Sequence, residues 1–159
     1  MIIALFTDFG TRDAYVAQLK GAILSLHPTV QLIDLTHEVG VFDVRAAAYL
    51  LDAAARYFPA GTIFVAVVDP GVGTARRPLL LATHADKFYV GPDNGLCTRV
   101  VQREGLKAAY VLTQSAFFRR QVSATFHGRD IFGPVAAHLA LGREPAQFGR
   151  RIEDVVQLP

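Results

Sequence analysis

Four polar, glycine-containing clusters interrupt an otherwise apolar chain, and each holds side chains able to grip a polar ligand or move a proton. In Thr7-Asp8-Phe9-Gly10-Thr11-Arg12-Asp13 two carboxylates lie five residues apart. In a loop of that length both can face one crevice and accept from hydroxyls or an ammonium group. In Asp69-Pro-Gly-Val-Gly-Thr-Ala-Arg-Arg77 a tight glycine turn separates Asp69 from Arg76. That spacing lets the two meet as an ion pair, which would keep a carboxylate ionised and aimed at a water molecule. Val90-Gly-Pro-Asp-Asn-Gly-Leu96 is a turn sequence built on Asn94-Gly95. Ser123-Ala-Thr-Phe-His-Gly-Arg-Asp130 puts His127 between Phe126 and Gly128, where an imidazole can exchange a proton near neutral pH.

Each cluster also has a plainer reading. Asp8 or Asp13 could cap the following helix, Asp69 and Arg76 could clamp a structural loop, Asn94-Gly95 could be only a turn, and His127 could be a satisfied loop or core histidine. His37, in Leu35-Thr36-His37-Glu38, is a weaker version of His127, while His27, His84 and His138 have no polar company. The glycines at 71 and 73 look like a phosphate cradle, but the Walker lysine is absent and the spacing fits neither nucleotide fingerprint. No two histidines have metal-ligand spacing, so no metal site is expected.

These clusters need elements to hold them, and the apolar pattern supplies alternating strands and helices. Strands are expected at Ile2 to Phe6, Val30 to Leu35 and Thr62 to Val68, the last apolar enough to be covered on both faces. Leu79 to Ala82 and Phe88 to Val90 could pair as further strands, and another is expected at Ala109 to Leu112. Helices are expected from Tyr15 to Leu26, from an Asp43 cap through Tyr57, near Leu96 to Arg103, and from Ile131 or Pro134 to Leu141 with Gly142 as the stop. The fold class is therefore α/β, a Rossmann-like three-layer domain with a mostly parallel central sheet. All four clusters follow expected strands, at the carboxyl edge where open α/β sheets place ligands.

Composition bounds the rest. The 159 residues are 52% apolar and 19% charged, the balance of one globular domain and not of a disordered or collagenous chain. A net charge of +2 with scattered arginines gives no phosphate-tracking stripe, so no nucleic-acid partner is expected. The single cysteine, Cys97, cannot bridge internally, and no apolar run reaches the roughly 18 residues of a membrane span, so a cytoplasmic location is the expectation. The apolar-alternating end at Ile152 to Pro159 reads as a lead-in to something further.

Taken in register, TDFGTRDAYVAQLKG, IDLTHEV followed by FDVRAAAYL, FPAGTIFVAVVDPGVGTARR, VGPDNGL and TFHGRDIFGPVAAHLALG resemble the S-adenosyl-L-methionine hydroxide adenosyltransferase family, related to the fluorinases and chlorinases. The stretches run from Thr7 to Gly142 in family order. The resemblance implies cleavage of S-adenosylmethionine at C5′ by water or hydroxide to adenosine and methionine, with no metal and no cofactor beside the substrate. It implies a catalytic set of Asp69, Arg76 and His127, leaving open which of them accepts the proton. Asp8 would then receive the ribose hydroxyls and Asp13 the methionine ammonium, with Phe42 and Phe126 walling the sugar and Asn94 shaping the pocket. The halogenases carry Tyr where Asp69 stands, so a carboxylate there favours water over halide. The resemblance further implies a homotrimer, residues 1 to 150 as an N-terminal catalytic domain, and 151 to 159 as the start of a linker to a C-terminal β-barrel domain that this stretch of chain lacks. Competing readings are a catalytically silent nucleoside or S-adenosylmethionine binding module and a bare oligomerisation domain.

Overall fold

The computed structural model describes residues 1–159. The elements run β1 (Ile2–Thr7), α1 (Tyr15–Leu26), β2 (Gln31–Thr36), α2 (Val44–Ala55), β3 (Ile63–Val67), β4 (Pro78–Thr83), β5 (Phe88–Pro92), α3 (Thr98–Glu104), β6 (Leu106–Leu112), α4 (Gly133–Ala140) and β7 (Gly149–Ile152). Every β3 side chain is buried, as its unbroken apolar run requires. Asp43 caps α2 by accepting the Ala46 N–H at 3.0 Å. Gly142, with φ of +99°, follows the end of α4 in the left-handed conformation that glycine tolerates.

The strands form one seven-stranded sheet in the order β2-β1-β3-β5-β4-β6-β7. Side chains alternate across it. Ile3 and Leu5 join Leu19 and Ile23 of α1 and Val135 of α4 in one core of 18 buried residues. Ala4 and Phe6 join Ala47 and Leu51 of α2 and Val100 of α3 in another of 17. Two cores of nearly equal size mean the sheet is covered on both faces, the three-layer arrangement expected.

The expectation of a mostly parallel sheet needs refinement. β1, β2, β3 and β5 pair in parallel, but β4 enters antiparallel between β5 and β6, and β7 closes the edge antiparallel to β6. The sheet is mixed, because the hairpin joining β4 to β5 is too short for a crossover. Two consequences reach the carboxyl edge of the parallel strands. The loops after β1, β2, β3 and β5 open there, and β4 begins there, so residues just ahead of Pro78 lie at the same edge. The helix expected from Ile131 or Pro134 starts earlier, as a π-helical turn over Gly128–Phe132 that runs into α4. A strand was not expected at Gly149–Ile152, and the boundary placed at residue 150 falls inside it. Residues beyond β7 lie along the domain: Val156 N–H donates to Asp93 and Leu158 N–H to Thr98, each at 2.9 Å.

β3 and β5 approach so closely that a Cβ on Gly91 would overlap the Ala66 carbonyl oxygen. Gly91→Ala is expected to destabilise the fold by about 3 kcal/mol and lower Tm by roughly 6–12 °C, as measured by calorimetry.

Candidate active site

β3 ends at Val67, and two residues later the Asp69 carboxylate emerges at the sheet edge, only 5% exposed. Burying a charge demands a partner. The chain turns back through Gly71 and Gly73 and delivers Arg76 just before β4. Arg76 Nε donates to both Asp69 oxygens at 2.9 and 3.0 Å, and Nη2 donates to Oδ2 as well. The guanidinium rests over the buried Phe132 ring at 5.4 Å. Gly73 has φ of +77°, and a Cβ there would lie 2.5 Å from the Ala124 carbonyl oxygen, so only glycine lets this loop approach the one carrying His127.

Arg76 Nη2 also reaches His127 Nδ1 at 2.7 Å. A guanidinium can only donate, so Nδ1 accepts and the ring proton sits on Nε2. Burial, followed by the Arg76 charge, pushes the His127 pKa down, against smaller opposing effects of Asp69, Asp130 and the Ser123 backbone. The imidazole is thus held neutral, as a donor at Nε2.

Asp8 follows β1 and is half-buried. It does not cap α1, which has no side-chain cap, and instead accepts the Phe42 N–H at 2.8 Å. Phe42 adopts φ of +61°, rare for a bulky residue, and the residue is 57% exposed at the rim. Burial raises the Asp8 pKa, the Phe42 N–H and the residue's own backbone draw it back, and the Asp69 charge adds to the rise. Asp8, Phe42, Asp69, Phe126 and His127 line one cavity of about 530 Å³, together with Phe9 and Tyr15, both of which meet Phe126 edge-on at 5.6 Å. Arg76 stands behind this wall.

Two expected residues are elsewhere. Asp13 is exposed ahead of α1, outside the cavity lining. Asn94 acts at one remove: its side-chain amide donates to the Val68 carbonyl at 2.9 Å and its oxygen accepts the Leu96 N–H at 3.1 Å, which ties the β5–α3 turn to the residue before Asp69. The neighbouring Arg77 faces away from Arg76 and pairs with Asp93 and Asp154. Sequence reasoning missed Asp130. This fully buried carboxylate accepts the Ser123 N–H at 2.8 Å and two bonds from Arg129, and Arg129 in turn lies 4.8 Å over the Phe126 ring. Burial alone would raise its pKa, but Arg129 and the Ser123 N–H outweigh that and hold it low. The signal was an Arg-Asp pair directly ahead of an apolar helix, where a surface pair would be wasted.

An α/β domain with a charge-clamped carboxylate facing an aromatic-lined cavity at its carboxyl edge is the arrangement of a small-molecule site. The family model for the SAM hydroxide adenosyltransferase N-terminal domain matches residues 3–149. The chain belongs to that family. It is 48% identical over 160 residues to the (R)-S-adenosyl-L-methionine hydrolase of Salinispora tropica, covering 99% of this chain and 60% of that protein. It is 31% identical over 175 residues to a fluorinase of an Actinoplanes species, covering 96% of this chain and 59% of that protein. The crystal structure of an uncharacterized conserved protein from Thermotoga maritima superposes with a TM-score of 0.97 at 41% identity, over all of this chain and 61% of that one. The chain therefore spans about three-fifths of the length of these relatives.

Because His127 titrates below its ordinary value of 6.5 in the folded protein, the unfolded chain binds its proton first as pH falls. The stabilising contribution is complete above pH 6.5 and is lost as pH drops from there through the folded value. Denaturant unfolding of wild type and His127→Gln between pH 7.5 and 5 should show wild type losing stability relative to the variant over that interval.

Proposed function

We propose that the protein hydrolyses S-adenosyl-L-methionine at C5′, giving adenosine, L-methionine and one proton. The observation that carries this reading is the Asp69 carboxylate, clamped by Arg76 and opening on a nucleoside-sized aromatic cavity. A water accepted by that carboxylate is held for in-line attack, and the C5′–O bond forms as the C5′–S bond breaks. The sulfonium leaves as a neutral thioether, so departure needs neither acid nor metal. Arg76 fixes the Asp69 carboxylate in orientation, and neutral His127 contributes its Nε2 proton to the hydrogen-bond network around the water. Two carboxylates on one cavity also favour a cationic substrate over an anionic nucleophile, which disfavours halide.

In the same reading Asp8 receives the ribose hydroxyls, Phe42 and Phe126 wall the sugar and reacting carbon, and Asn94 supports the pocket through Val68. Asp13 takes the methionine ammonium at the exposed end, close to the rim residue Tyr15. The names of the Salinispora, Thermus thermophilus and Methanocaldococcus jannaschii relatives, (R)-S-adenosyl-L-methionine hydrolase, support this substrate. The working form is proposed to be a cytoplasmic homotrimer without nucleic-acid or membrane partners, with the expected catalytic domain of residues 1–150 carried on to the end of β7 at Ile152 and the residues after it leading to a C-terminal β-barrel domain. No helix is long and apolar enough to cross a membrane. The exposed rim side chains Val41, Phe42 and Tyr15 would be covered by a neighbouring subunit's barrel. A silent binding module is the second reading, favoured by the open side of the cavity.

The longest form of the protein, incubated with S-adenosylmethionine without halide and then with chloride, is expected to give adenosine and methionine both times and no chloroadenosine by chromatography. Asp69→Asn should lower turnover by about 10²-fold or more while substrate binding persists. Binding without turnover by the wild type would select the module.

A further inference from the structure

The segment Thr7–Gly10 carries two residues of the cavity wall, Asp8 and Phe9, and one residue outside the cavity pins both of its ends. At the start, Thr7 Oγ1 lies 2.7 Å from His37 Nδ1. At the finish, Gly10 N–H donates to the His37 carbonyl oxygen at 2.7 Å. Within the arch, Phe9 N–H donates to Thr7 Oγ1 at 3.2 Å. His37 is only 5% exposed and is itself braced from two elements. Its Nε2 is 2.7 Å from Asp34 Oδ1 on β2, and Lys20 Nζ of α1 donates to Asp34 Oδ2 at 2.7 Å. A carboxylate accepts, so Nε2 carries a proton, and in the neutral imidazole Nδ1 accepts from the Thr7 hydroxyl. The donors then run one way: Phe9 N–H to Thr7, Thr7 to His37, His37 to Asp34.

Hydroxyl, imidazole and carboxylate in this order look like an acyl-transfer triad. Thr7 is fully buried, however, already accepts the Phe9 amide, and is not part of the cavity wall. The chain transmits position, not nucleophilicity.

We propose that His37 is a positioning residue that sets the Asp8–Phe9 arch at the height and angle the substrate's sugar requires, its side chain holding one foot of the arch and its backbone the other. This rests on the reading of Asp8 as the ribose contact, so its effect belongs in substrate affinity and not in the displacement step assigned to Asp69. A misplacement of Asp8 by His37→Ala is expected to raise KM for S-adenosylmethionine about 10-fold to 100-fold, with kcat changed less than about threefold. His37→Asn, whose Oδ1 falls where Nδ1 stands, restores the acceptor for Thr7 and should bring KM most of the way back. His37→Gln, which reaches toward Asp34 instead, should restore less. Thr7→Val, equal in shape but without the hydroxyl, should resemble His37→Ala and serves if that variant folds poorly.

In an Asp8→Ala background, His37→Ala should add nothing further to KM. A full additional increase there, or a fall confined to kcat, overturns the proposal. A wild type without turnover sinks the hydrolase reading by itself. The positioning claim is then decided by hydrogen exchange at the Phe9 and Gly10 amides, which should quicken in His37→Ala and recover in His37→Asn. Exchange unchanged in His37→Ala overturns it.

Discussion

Asp69 is a charge held almost out of water at the wall of a ligand cavity, and the Arg76 guanidinium is what makes that tenable. Leaving one member of such a buried pair alone costs about 3–5 kcal/mol, a large part of a domain's stability. The surrounding chemistry follows from keeping the two in contact. Arg76 bonds the carboxylate along one edge while its face rests on the Phe132 ring, and its Nη2, shared between Asp69 and His127, fixes which nitrogen of the imidazole bears the proton. One guanidinium therefore sets the orientation of a carboxylate and the tautomer of an imidazole. Gly73 and Asn94 serve the same contact, the first by letting two loops close on each other and the second by holding the residue before Asp69.

The sheet topology explains how residues on either side of a loop come to share one edge. In a wholly parallel sheet the chain leaving β3 would cross over a helix and start its next strand at the opposite edge, far from Asp69. Here β4 runs antiparallel, so it begins where β3 ends. The departure from the expected parallel pattern is thus the feature that brings Arg76 to Asp69. The same edge gathers Asp8 after β1, His37 after β2 and Asn94 after β5.

Much of this was legible in the residues. Asp69 and Arg76, seven apart across a glycine turn, could be paired on spacing alone, and the cap at Asp43 and the stop at Gly142 followed from local chemistry. The meeting of Arg76 with His127, 51 residues away, has no local signature and came only from motifs taken together. The parallel centre was legible from the alternation of strands and helices, whereas the reversed direction of β4 and β7 was not, because an apolar run reads the same whichever way it pairs. β7 was hidden because Gly149-Arg150-Arg151-Ile152 is held by edge backbone bonds and offers no alternation. Asp130 was passed over because arginine-aspartate pairs usually sit in solvent, and its burial is a tertiary fact. The placement of Asp13 outside the cavity lining and of Asn94 behind the Val68 carbonyl has no local signature, because both depend on how the loops after β1 and β5 fold.

The backbone of Phe42 joins the cavity wall to the start of α2. Its N–H occupies the Asp8 carboxylate, its φ is one few bulky residues hold, and the next residue caps α2. On the proposed reading of Asp8, a ligand there would share the carboxylate with the Phe42 N–H, one residue from the cap of α2. Linkage is reciprocal. On that reading, whatever factor a ligand at Asp8 contributed to the seating of α2 would return, unchanged, in its own affinity when α2 is steadied from outside.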